Sequence, residues 1–142
     1  MSTAEDFLRA IWAAPNDDAP REQYAAWLIE RSDPRGELIT LQFARHRGTD
    51  APTGKARERE LLAAHARAWL GEIEPAVMKS RYAFERGFLV RCAVQWQVLG
   101  TRPDLMIHPA WATVREYTLA QPGERSCDPW LDHMIALGAK RI

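Results

Sequence analysis

The sequence predicts an α+β fold, with a bundle of about four N-terminal helices packed on a small β/α unit of parallel strands. Three observations predict it: apolar residues spaced by three and four as far as residue 80, alternation at every second position from about Arg81, and short apolar phrases that recur in the last third. The 142 residues, 46% hydrophobic and 27% charged, suffice for a real core without cross-links. The expected organisation is a helical region over 1–80 and a β/α unit over 81–142, forming one continuous domain.

Helix one begins at a capping box of Ser2 with Glu5, and its stripe of Phe7, Leu8, Ile11 and Trp12 stops before Pro15. Asn16, Asp17 and Asp18 offer cap oxygens for helix two, where Pro20 fits a first turn and Tyr24, Trp27, Leu28 and Arg31 repeat at helical spacing. Asp33 caps helix three with Pro34 at its first position; Leu38, Ile39, Leu41, Gln42 and Phe43 come next, and the helix ends near Gly48. After the loop from Gly48 to Gly54, helix four carries Leu61, Leu62, His65, Trp69 and Leu70. Its charged start, KARERE, reads as a solvated face, since Glu58 and Glu60 alternate with arginines. Tyr82 and Phe84, then Phe88, Val90, Cys92, Val94 and Trp96, alternate as strands do, with a turn at Arg86-Gly87. Val114 to Leu119 is a further strand, and Asp128-Pro129 opens a last helix through Trp130, Leu131, Met134 and Ile135.

A repeat lies within this half. Leu89-x-x-Cys92-x-Val94 recurs after 25 residues as Val114-x-x-Tyr117-x-Leu119, and after 23 more as Leu137-x-x-Lys140-x-Ile142. The spacing fits leucine-rich repeats, in which each phrase is a strand of a stacked parallel sheet, so the β/α unit is expected to be leucine-rich-repeat-like. Pro122 stands where such repeats carry Asn or Cys, and Lys140 where an apolar residue belongs, which describes a short, degenerate array. The positions between the buried ones would form its concave face: Arg91, Ala93 and Gln95, then Glu116, Thr118 and Ala120, then Ala139 and Arg141. Repeat proteins bind partners on that face.

One stretch carries a denser pattern. Between Phe7 and Gln42 stand Asp17, Asp18, Pro20 and Arg21, then Tyr24, Ala25, Trp27, Leu28, Glu30 and Arg31, then Asp33, Pro34, Arg35, Gly36, Glu37, Ile39, Leu41 and Gln42. In this order they resemble the bacterial repeat-companion domain, whose pattern runs D-D-x-P-R and then Y-A-D-W-L-E-E-R-G-D-P-R-G-E-F-I-x-L-Q. Two phrases further along the chain, ELLAAH-x-x-AWLG (Glu60 to Gly71) and RGF (Arg86 to Phe88), are also similar to the continuation common in that family. The resemblance implies a position beside repeats in a bacterial protein and supplies no catalytic role. Ala26 stands in place of the pattern's Asp and Ser32 in place of its Gly. Arg21, Arg31, Arg35 and Glu37 are expected to form ion pairs that fix the helix angles, with Arg21, Arg31 and Arg35 as further candidates for partner binding.

Several function classes find no support. Balanced charge, 19 Lys and Arg against 19 Asp and Glu, disfavours a general nucleic-acid binder, though all basic residues but Lys55, Lys79 and Lys140 are arginine, which leaves arginine-bearing helices as a weak nucleic-acid alternative. No apolar run reaches the ~20 residues that cross a bilayer. Two cysteines make no disulfide framework, and the start MSTAEDFLRA lacks the order of a secretory signal, so a cytoplasmic location is expected. The four histidines (46, 65, 108 and 133) form no HExxH or i, i+4 pair, and phosphate-binding loops and GxSxG are absent, so no metal, cofactor or catalytic residue is assigned. Cys127 with His133 is the one thiol-hydrolase alternative, and Cys92 reads as a small core residue.

The expectation is therefore a non-catalytic protein-interaction or adaptor module. Its candidate contact residues are Arg91, Gln95, Glu116, Thr118 and Arg141, with the three helical arginines. The partner is another protein, and a sheet edge left open by a short array has room for a second copy of the chain.

Overall fold

A computed structural model describes residues 3–119 and 128–141. The chain divides into two units, Met1–Trp69 with Glu85–Phe88, and Leu70–Phe84 with Leu89–Ile142. The fold is α+β with N-terminal helices, as the periodicities predict.

The first unit contains α1 (Ala4–Ala13), α2 (Asp18–Glu30), α3 (Pro34–His46) and α4 (Gly54–Trp69). Each of the first three begins where an oxygen-bearing side chain meets an extended residue. Thr3 and Asp6 form a reciprocal capping box on α1, Asp17 accepts from the Ala19 N–H, and Asp33 accepts from the Arg35 N–H with Pro34 opening α3. The box expected from Ser2 and Glu5 is thus one residue out of register: Thr3-x-x-Asp6 offers the same chemistry, and Thr3 is the residue that holds the extended cap conformation. Ser2 lies outside the described residues.

Ile11, Tyr24, Ala25, Leu28, Ile39 and Phe43 form the core of this unit together with Phe88. Burying each large side chain contributes about 1.5–3 kcal/mol. Helices α2 and α3 approach so closely that a Cβ on Gly36 would stand 3.0 Å from both the Ala25 carbonyl oxygen and the Ile29 nitrogen.

In the second unit the sheet order is β1-β2-β3-β4, from β1 (Val77–Glu85), β2 (Phe88–Val94), β3 (Glu116–Leu119) and β4 (Lys140–Arg141). Arg86 and Gly87 join β1 to β2 with φ of 50° and 84°, the left-handed pair that a two-residue hairpin turn demands. Strand β1 begins at Val77, before the expected start near Arg81. Short helices α5 (Trp96–Thr101) and α6 (Pro103–Met106) and a 3-10 turn at Pro109–Thr113 lead from β2 to β3, and α7 (Asp128–Ala136) precedes β4. Periodicity gives no sign of α5 or α6, which at six and four residues are too short to repeat a stripe.

Strands β2 and β3 pair in parallel with Arg91 opposite Glu116, Cys92 opposite Tyr117 and Val94 opposite Leu119, the offset of 25 that the first two phrases show. Strand β4 also pairs in parallel, with Glu116 opposite Lys140 and Tyr117 opposite Arg141. Its offset is one residue longer than the phrases predict. A turn at Gly138, with φ of 87°, takes up the extra residue, and the Lys140 N–H then donates to the Arg115 carbonyl at 2.7 Å. Lys140 is thereby placed in line with Arg91 and Glu116 and is exposed, which removes the misfit of a lysine at an apolar position. The core beneath is aromatic: Trp130 meets Trp111 and Tyr117 edge-on at 5.5 and 4.8 Å, and the Trp111 indole N–H donates to the Leu105 carbonyl at 2.7 Å.

Candidate functional site

In the first unit, side chains of the Asp17-to-Gln42 segment converge on the hairpin tip, residues 85–88. Arg21 donates to the Glu85 carbonyl at 3.1 Å and to the Pro15 carbonyl at 2.6 Å, while Arg35 donates to the Gly87 carbonyl at 3.4 Å. Both guanidinium groups lie over the Phe88 ring, at 5.2 and 4.5 Å from its centre. Asp18 pairs with Arg86 at 2.6 Å. The Gly87 N–H donates to Gln42 Oε1 at 2.7 Å, and Gln42 Nε2 donates to Glu58 Oε1 at 3.1 Å. Arg45 closes the chain on the Glu58 carboxylate at 2.9 and 3.0 Å. Glu58 is thus 5% exposed, a buried acceptor rather than the solvated residue that the alternating charges of KARERE suggest.

The expected ion pairs are distributed differently. Arg21 and Arg35 hold backbone carbonyls, because a left-handed turn leaves those oxygens pointing inward with no strand to take them. Burial pulls the Arg35 guanidinium below its ordinary pKa, opposed by the Tyr24 hydroxyl beside it, and the same burial raises Tyr24. Arg31 stacks on Trp27 at 3.8 Å, and Glu37 pairs with Arg57 at 2.7 Å on the surface. Of the three helical candidates for partner binding, Arg21 and Arg35 are therefore internal and Arg31 alone is exposed.

On the sheet, pairing aligns Arg91, Glu116 and Lys140 in one row and Ala93 with Thr118 in the next. Arg91 and Glu116 are 3.6 Å apart and about half exposed. Gln95 does not continue the row: β2 ends at Val94, Gln95 caps α5, and its Nε2 donates to the Pro75 and Val77 carbonyls at 3.4 Å. Arg141 lies opposite Tyr117, in the column beside the row for which it was expected, so Lys140 is the residue that sequence reasoning missed. The signal was present, since a charged residue at an apolar position of a repeat marks a slipped register. Ala139 precedes β4, and Ala120 lies outside the described residues.

A shallow groove of about 290 Å³ opens beside this row, lined by Ser80, Arg81, Tyr82, Arg91, Ala93 and Thr118. Ser80, with φ of 62°, interrupts the regular course of β1 at the groove.

Cys92 is buried at 2% exposure, and burial pushes its thiol up to about 12. A group so protonated at neutral pH serves as packing. His65 stacks on Trp69 at 5.1 Å, as a core-edge histidine does. His133 lies on α7, while Cys127 is outside the described residues, so their pairing has no geometry to describe. Among the described residues no cluster of His, Cys, Asp and Glu could hold a metal ion, and no helix is long and apolar enough to cross a membrane. Comparison of the chain with family models, curated proteins and solved structures finds no match.

Proposed function

We propose that the chain is a non-catalytic protein-interaction or adaptor module, working in the cytoplasm, whose contact face is the side of the mixed sheet that carries Arg91, Glu116 and Lys140. The observation that carries the reading is the in-register row of Arg91, Glu116 and Lys140 beside Thr118, all at least partly exposed on neighbouring strands. Strands fix these side chains at ~4.8 Å lateral spacing, and a rigid array of mixed charge selects a partner by complementarity at little entropic cost. The likeness of the Asp17-to-Gln42 segment to repeat-companion domains supports the same reading, since that family sits beside repeats. The buried arginines agree with it: Arg21 and Arg35 shape the hairpin tip, and contact with a partner falls to the strands.

Affinity capture with the wild-type chain and with Arg91→Glu plus Glu116→Arg tests this. The double exchange keeps the internal pair while reversing the pattern shown to a partner, so the fold is retained and the captured protein is lost. An unchanged set of captured proteins removes this face from consideration.

A further inference from the structure

We infer that the groove beside β1 receives an acidic, extended segment of the partner protein, its carboxylates taken by Arg81, Arg91 and the hydroxyls of Ser80, Tyr82 and Thr118. The inference rests on the reading of the sheet face as an interaction surface and adds the chemistry of what binds there.

The lining offers guanidinium groups and hydroxyls and no carboxylate, so its hydrogen-bonding capacity is weighted toward donation. These donors are unused within the chain: among the described residues the side chains of Ser80, Arg81, Tyr82 and Thr118 make no hydrogen bond or ion pair, and Arg91 reaches Glu116 only at 3.6 Å. Charge points the same way. Lys79, Arg81, Arg91 and Lys140 are all exposed on these strands, against the two carboxylates of Glu85 and Glu116, an excess of cations that an acidic partner neutralises.

Shape sets the form of the ligand. The groove runs over the face of neighbouring strands, from Ser80, Arg81 and Tyr82 of β1 across Arg91 and Ala93 of β2 to Thr118 of β3, a strip on which an extended chain can lie. A chain so placed sends every second side chain, ~7 Å apart, to the groove side, a spacing that lets discrete carboxylates meet the arginines and pass Glu116.

The test is fluorescence anisotropy of the full chain with a labelled peptide of about twelve residues alternating Glu and Thr, its Gln-for-Glu counterpart, and inorganic phosphate as competitor. The Glu peptide is expected to bind, more weakly as salt rises, and the Gln peptide to bind at least about tenfold more weakly. Arg81→Ala with Arg91→Ala should weaken the Glu peptide by about tenfold or more, with an unchanged melting temperature. Equal binding of the two peptides, indifference to the arginine substitutions, or displacement by phosphate of a weakly held peptide regardless of its charge overturns the inference. If the Arg91 and Glu116 exchange abolishes capture while no acidic peptide binds, the contact face stands and the partner's chemistry falls; if capture is also unchanged, both fall.

Discussion

In the helical unit, Arg21 and Arg35 are sealed from water and donate to backbone carbonyls at the tip of a hairpin, whereas on the sheet Arg81 and Arg91 stand in solvent beside a groove. The same side chain does opposite work in the two regions. Inward, a guanidinium replaces the strand partner that turn carbonyls lack and covers an aromatic ring with its flat face. Outward, it keeps its donors for another molecule. The two units also fill their cores in different ways. The sheet unit relies on apolar contact among Trp111, Tyr117 and Trp130, while the helical unit adds a polar chain from buried Gly87 through buried Gln42 and Glu58 to Arg45 at the surface. A polar chain is specific about geometry, and apolar contact is specific mainly about volume.

Substitutions that attack each kind of core sharpen the contrast. Trp130→Ala empties a site with no exposure, between two aromatic edges, and should cost about 4 kcal/mol in denaturant unfolding. Trp130→Phe should recover more than half of that, because volume is what the site needs. Next in size is Gly87→Ala. A Cβ there would stand 2.2 Å from Ile39 Cγ1 and 3.3 Å from Ile39 Cα, on a backbone with φ of 84°, for a loss of roughly 3 kcal/mol. Gln42→Ala leaves the Gly87 N–H without its acceptor and Glu58 without one donor, at about 2 kcal/mol. Here the isosteric Gln42→Glu should fare no better, since it sets a second carboxylate against Glu58. If Gln42→Ala melts like the wild type, the polar chain is decoration and the contrast between the cores fails.

Most of the backbone is legible in the sequence, and the polar interior is not. Spacing alone locates the four N-terminal helices, and the recurrence of Leu89 and Val114 gives the register of β2 on β3. Both signals are local or periodic, and periodicity survives without knowledge of contacts. The third phrase slips by one because a turn glycine, Gly138, adds a residue that no apolar pattern marks. Glu58 escapes for a related reason: a charged residue among arginines on a helix looks solvated until Gln42 and Arg45 are brought to it from α3. The hairpin tip is legible as a turn at Arg86-Gly87, but not as what Arg21 and Arg35 hold. The groove is not legible at all, since it depends on the course of β1 at Ser80 and on β3 lying two strands away.

The sheet unit's thiol gives a smaller effect, read in reactivity. Burial holds Cys92 in its protonated form, so in a Cys127→Ser chain thiol-reactive labelling of Cys92 at pH 8 should proceed only through opening, and denaturant should accelerate it sharply. The same burial links stability to pH. The unfolded thiol loses its proton near its ordinary value of 9.0 and the folded one only near about 12, so the contribution is complete below 9 and is lost as pH climbs between those values. Cys92→Ala should remove that alkaline dependence. Rapid labelling of Cys92 at neutral pH, without denaturant, would show a sheet core less closed than that of the helices.

The smallest expected effect is also the sharpest comparison between the units. Arg91→Ala removes a guanidinium that is about half exposed and lies 3.6 Å from Glu116, and the unfolding free energy should move by no more than about 0.5 kcal/mol. Arg35→Ala removes the same group from a buried place against Phe88 and strips the Gly87 carbonyl of its donor, for about 2 kcal/mol or more. Equal losses at the two positions would mean that Arg91 is part of the scaffold, and a side chain required for folding is a poor choice for a contact face. A wide gap leaves Arg91 free of structural duty, as a residue whose purpose lies outside its own chain must be.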